Sequence, residues 1–274
     1  MDFTTRLANA WAGSTSLLCV GLDPDISKLP SHLKTADDPL FNFNKAIIDA
    51  TGDLVCAFKP NSAFYEAFGP DGIRQLKQTV DYIHENYPDV VTILDAKRAD
   101  IGNTNSGYIG FAYDYLGVDA ATLHPYLGHE ALEPFLNRAD KGAIILCRTS
   151  NSGASEFQDL RIEGRPLYEH VARTVAENWN AHNNCLLVVG ATYPEEMKAI
   201  RDIVGDMPFL VPGIGAQGGD LKATMEAGLD SKQQGLIISA SRSVLYASSG
   251  EDFAEAARAE ALKLRDEINN YRKV

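Results

Sequence analysis

Eight short, almost wholly apolar runs divide this sequence, each followed by a Gly, Pro or Asp turn and then a longer stretch with helical spacing. They are SLLCVGL (16–22), LVCAFKP (54–60), VVTILDAK (90–97), VDAATLHP (118–125), GAIILCR (142–148), CLLVVGA (185–191), PFLVPG (208–213) and GLIISAS (235–241). Continuous rather than alternating hydrophobicity marks strands covered on both faces, the signature of a parallel sheet wrapped by helices. Eight βα units in 274 residues fit a closed barrel better than an open sheet. The fold predicted is therefore an α/β (β/α)8 TIM barrel, and because no linker or low-complexity stretch interrupts the series, it is predicted as one domain over residues 1–274.

The ends and the widest gap carry further expectations. At the amino terminus Phe3, Leu7, Ala10 and Trp11 share one helical face, without the apolar core of a secretion signal. Near the carboxyl terminus Phe253, Ala257, Ala261, Leu264, Ile268 and Tyr271 recur at steps of three and four, predicting an outer helix that closes the ring. Residues 148–184 form the longest interval between strands and carry the loop SNSGASEFQDLRIEG, a candidate lid, before a helix resumes near Pro166. Cys19, Cys56, Cys147 and Cys185 each sit inside an apolar run without CxxC spacing, and read as buried free thiols of a reducing, cytoplasmic compartment. The formal net charge of −12 disfavours nucleic acid as a partner, and no apolar run is long enough to span a membrane. A small phosphorylated substrate is still compatible, since a few local cations suffice to bind it.

In such a barrel the chemistry sits where strands end and βα loops begin. Asp23 follows the first strand, Lys59 closes the second, and Asp95 and Lys97 close the third. Alternation along a strand points Asp95 and Lys97 to the same face, and both are expected in the barrel mouth. Charges at strand ends are often surface ion pairs of little energetic weight. Four of them on the first three strands argue instead for a shared site. Asp100, read alone, is a helix cap before IGNTNSGYIGFA. Across the mouth, PGIGAQGGD (212–220) follows strand seven and SASRSV (239–244) follows strand eight. Here barrels build phosphate sites from backbone N–H groups and an arginine, for which Arg242 is suited. His124 and His129 are read as structural.

The segment DAKRADIGNT resembles the D-x-K-x-x-D-I-x-x-T signature of the orotidine 5'-phosphate decarboxylase family. LLCVGLDP, AFKPNSAFYEAFG, HPYLG, CRTSNSG, VPGIGAQGGD and SASRSV are similar, in order, to the longer bacterial branch of that family. The resemblance implies decarboxylation of orotidine monophosphate to UMP without a cofactor or metal, in a homodimer. It implies a charge network of Lys59, Asp95, Lys97 and Asp100, the last reaching the partner's active site together with Thr104. Asp23 and Lys59 would contact ribose hydroxyls, and Ser150 would hydrogen-bond the pyrimidine amide. Gln217, Gly218, Ser241 and Arg242 would hold the phosphate. Two departures, SNSG with Ser152 where the family has SNPG, and Ala99 where glycine is frequent, remove no functional group.

The implied reaction leaves an electron pair in an in-plane orbital at C6 that the ring does not delocalise. Lys97 would supply the compensating charge and then the proton. Asp95, beside the substrate carboxylate, would repel it until neutral CO2 leaves. A metal-dependent sugar-phosphate decarboxylase of the same superfamily would need a divalent ion to hold an enediolate. A Schiff-base aldolase would use Lys97 as nucleophile, and a nucleotide-binding regulator would keep the fold without the reaction.

Overall fold

The structure, a computed structural model, describes residues 1–214 and 218–272. Each apolar run becomes a strand: β1 (Leu18–Leu22), β2 (Ala57–Pro60), β3 (Val91–Arg98), β4 (Ala120–Leu123), β5 (Gly142–Arg148), β6 (Cys185–Val189), β7 (Phe209–Pro212) and β8 (Leu236–Ala240). All neighbours pair in parallel, and β8 pairs with β1 to close an eight-stranded barrel. Closure explains the unbroken apolar runs, because one face of every strand fills the barrel and the other meets helices. In β3 the residues Val91 to Leu94 are buried, while Asp95 to Arg98 emerge at the rim.

Both terminal helices are where spacing places them. Helix α1 (Phe3–Ser14) buries Phe3, Leu7, Ala10 and Trp11, and the carboxylate of Asp2 caps it by accepting from Thr5 N. Arg6 leaves its other side to grip Asp119 below β4, Nε to Oδ1 at 2.6 Å, while Asp119 Oδ2 accepts from Thr92 N at 2.8 Å. The outer helix Phe253–Asn270 buries Phe253, Ala257, Ala261, Leu264 and Ile268. A second arginine ties the lower ends of β7 and β8. Arg201 donates to the carbonyls of Gly228, Gly205 and Met207 at 2.6–3.0 Å and stacks 3.8 Å from the Phe209 ring. These anchors lie opposite the rim, so the strand ends that carry the charged residues stand on a braced base.

In the interval 148–184 the helix expected near Pro166 is present, but the segment before it is not an open loop. The interval holds a 3-10 turn at Ser152–Ala154, a short helix at Ser155–Gln158, an antiparallel hairpin of Arg161–Ile162 with Arg165–Pro166, and a helix at Leu167–Thr174. The four cysteines are buried and free. Among the described residues no helix is long and apolar enough to cross a membrane.

Candidate active site

Lys59 leaves the upper end of β2 with its side chain only 7% exposed, and its Nζ lies 3.1 Å from Asp95 Oδ2. The other oxygen of the same carboxylate lies 2.6 Å from Nζ of Lys97, whose side chain is 50% exposed. One aspartate thus bridges two ammonium groups, one locked in the barrel and one facing open space. Thr122 on β4 completes the arrangement: its hydroxyl donates to Asp95 Oδ1 at 2.9 Å, and its Oγ1 accepts from Lys97 N at 2.9 Å. Thr122 escaped notice in the sequence because a threonine in an apolar strand is ordinary; its only signal is its place two residues before the rim.

Burial opposes charge on both groups, yet the pairing prevails. At Asp95 desolvation pushes the carboxyl up, but the adjacent Lys59 and Lys97 charges hold it well below the usual carboxylate range. At Lys59 desolvation pushes the ammonium down, but Asp95 and then Asp23 hold it above its ordinary value. The buried lysine is therefore a fixed cation.

Asp95 and Lys97 do meet, though not by simple alternation. The β3–β4 register shifts between Leu94 and Arg98, and Lys97 has a φ of 48°, in the left-handed region that disfavours a side-chain-bearing residue. The strand bulges at its functional end and re-aims the lysine. Strained backbone of this kind costs about 1–3 kcal/mol and persists only where its surroundings impose it.

A cavity of about 530 Å³ opens over these groups, within the size range of small-molecule sites. Asp23, Lys59, Asp95, Lys97, Ser150 and Arg242 all line it. Asp23 accepts from Asn61 N at 3.2 Å, and the Tyr246 hydroxyl braces its loop by donating to Asp23 O at 3.0 Å while accepting from Asp25 N at 2.8 Å. Ser241 also lines the cavity. It packs against Gly21, where a Cβ would meet Ser241 Oγ at 1.8 Å, so a glycine in β1 is what lets the β8 end approach Asp23. Arg242 is exposed at the start of a short helix, Arg242–Leu245, and among the described residues no carboxylate pairs with it.

Three predicted positions lie elsewhere. Asp100 does not line the cavity; it accepts from Ile101 N at 2.7 Å, and the following helix Gly102–Ile109 has no side-chain cap, so the capping role read for it is not found. Thr104 lines a separate shallow groove with Arg98, Tyr108 and Phe111. Gly218 is exposed, with a φ of 79°, and is not part of the cavity wall. Gln217 lies outside the described residues. Of the two histidines, His124 Nε2 sits 3.2 Å from Ala99 O and the His129 ring tilts 6.2 Å from Trp179, so neither faces the charged cluster.

A family model described as "Orotidine 5'-phosphate decarboxylase / HUMPS family" matches residues 16–259. Orotidine 5'-phosphate decarboxylase of Cellvibrio japonicus (strain Ueda107) is 56% identical over 271 residues, which is 98% of either chain. Among solved structures, Leishmania donovani OMP decarboxylase superposes with a TM-score of 0.88 at 36% identity over the full length of both chains. Leishmania donovani UMP synthase gives a TM-score of 0.89 at 38% identity; it covers 99% of this chain, which spans 57% of that longer one.

Proposed function

The chain belongs to the orotidine 5'-phosphate decarboxylase / HUMPS family and converts orotidine monophosphate to UMP and CO2 in pyrimidine biosynthesis; from that premise we propose that Lys97 is both the charge and the acid at C6. The observation that carries this reading is the single carboxylate of Asp95 held between Lys59 and Lys97. The C6–carboxylate bond breaks, its electron pair stays on C6, and CO2 leaves neutral. The ammonium of Lys97, preorganised at 2.6 Å from Asp95, stabilises that pair and then transfers a proton to it. Its half-exposed side chain recovers a proton from solvent after product leaves. Lys59 and Asp95 keep their charges throughout, so no reorganisation is needed as the carbanion forms.

Asp23 and Lys59 take the ribose hydroxyls, Ser150 the pyrimidine amide, and Arg242 with Ser241, Gly218 and Gln217 the phosphate. The guanidinium at the cavity rim, which among the described residues has no carboxylate partner, supports the last assignment. Followed by the loss of substrate absorbance, Arg242→Ala should lower kcat/KM by the equivalent of about 3 kcal/mol or more, the scale of a charged, hydrogen-bonded pair. An unchanged kcat/KM would remove Arg242 from the phosphate site.

The whole chain, residues 1–274, acts as one barrel domain in a cytoplasmic homodimer. Exposed Ile101, Thr104 and Phe68 beside the shallow groove of Arg98, Tyr108 and Phe111 support an interface there, with Asp100 and Thr104 serving the partner's cavity. Lys97→Ala and Asp100→Ala proteins, each inactive alone, should then regain about a quarter of wild-type activity when mixed and refolded, because half the dimers carry one intact site. No recovery on mixing would place Asp100 in its own subunit's site.

A further inference from the structure

Arg148 ends β5 where the β5–β6 register shifts, and its side chain is only 2% exposed. A buried guanidinium needs partners, and those of Arg148 lie almost entirely on the segment just beyond it. Nη1 reaches Gln158 Oε1 and Thr149 O, each at 3.4 Å; Nη2 and Nε reach Asp159 at 3.4 and 3.3 Å; and the Tyr193 ring lies 3.8 Å away. Gln158 passes the connection on. Its Oε1 accepts from Thr149 N and its Nε2 donates to Thr149 Oγ1, both at 2.9 Å, and that hydroxyl donates to Asn151 Oδ1 at 2.7 Å. Both neighbours of Ser150 are thereby fixed by a network rooted in Arg148. Beneath, a Cβ on Gly190 would lie 2.8 Å from the Ser150 backbone, so Ser150 rests directly on the end of β6.

We infer that Arg148 is a positioning residue, whose buried guanidinium latches residues 149–159 over the cavity and so aims Ser150 at the pyrimidine ring. The inference rests on the assignment of Ser150 to the pyrimidine amide. A purely structural arginine looks different in this same molecule: Arg201 bonds backbone carbonyls at 2.6–3.2 Å. Arg148 instead makes long contacts of 3.3–3.4 Å to side chains of a covering segment, and its Nε has no hydrogen-bond partner among the described residues. A latch of that kind holds a segment in register without cementing it, and a misaimed contact in a site loses rate through orientation.

The test is a double-mutant cycle on kcat/KM for orotidine monophosphate, with Asp159→Ala and Ser150→Ala. The Asp159 side chain is 41% exposed, so removing it opens no cavity, and urea midpoints taken alongside measure what the buried Arg148 loses with its carboxylate. Asp159→Ala should cost about tenfold in the wild-type background and less than about twofold once Ser150 is alanine, because the latch acts only through that serine. Asp159→Glu should restore most of the loss. Arg148→Met should show the same dependence on Ser150 if it folds; if it does not, the Asp159 cycle decides alone. An equal cost in both backgrounds, or no cost from Asp159→Ala, overturns the latch while leaving the Ser150 assignment standing. A Ser150→Ala enzyme with wild-type kcat/KM overturns that assignment, and the latch with it.

Discussion

Replacing Lys97 with alanine should lower kcat by at least about 10⁵-fold, the combined scale of losing a general acid and a preorganised charge at the same atom. That is roughly 7 kcal/mol of transition-state stabilisation. Lys59 does not stand ready to replace Lys97: it is 3.1 Å from the far oxygen of Asp95, locked in the barrel with a 7% exposed side chain. The fold should survive, since Lys97 is half-exposed and Asp95 keeps its pairing with Lys59. The backbone supplies an internal control. At the φ of 48° an alanine retains the strain and a glycine does not, so Lys97→Gly should be about 1 kcal/mol more stable than Lys97→Ala while equally inactive. Single-turnover decarboxylation together with urea unfolding measures both. Residual turnover within a hundredfold of wild type would remove Lys97 from the role of acid.

Asp95→Asn should damage stability and activity together. The substitution leaves the nearly buried Lys59 without its main counter-charge, and breaking such a pair from one side costs about 3–5 kcal/mol. The pH dependence has a definite sign. Asp95 has a depressed pKa, so its contribution is present above the unfolded value of 3.8 and is lost as pH falls through the lower native one. Lys59 is raised above 10.5, so its contribution is complete below that value and fades only at higher pH. The wild-type pair therefore adds a nearly constant term from about pH 5 to 10. In Asp95→Asn the desolvated Lys59 is less well held as a cation, and its native pKa falls. The stability deficit should then shrink as pH rises from 7 towards 10, because a neutral amine is tolerated where an unpaired ammonium is not. Urea midpoints of both proteins across that range give the answer, and a deficit that stays flat or grows would mean that Asp95 does not govern the charge on Lys59. Catalytically, the amide no longer anchors Lys97, and kcat should fall by about 10³-fold or more.

Much of the site was legible because its chemistry is concentrated at strand ends. The placement of Asp23, Lys59, Asp95 and Lys97 follows from where apolar runs stop, and all four line one cavity. Arg242 and Ser241 follow from the same logic on the opposite rim. Thr122, Arg148, Gln158 and Tyr246 did not emerge from that reading. Each acts through a partner 9 to 223 positions away, and single-residue type and spacing carry no trace of such pairings. Within 148–184 the helix after Pro166 is legible, but the turn, short helix and hairpin before it are not, because they are too short to impose a period.

By itself the sequence determined the number of barrel strands, their parallel packing and which rim would be charged, because continuous apolarity and abrupt charge are local properties that survive without a structure. The tertiary structure alone decided that one carboxylate would serve two lysines. That depends on the bulge at the end of β3, on the left-handed backbone of Lys97 and on a threonine from the next strand, all products of barrel closure rather than of any local pattern. Desolvation follows from the same closure, and it is what turns an ordinary ion pair at a strand end into a fixed, preorganised charge.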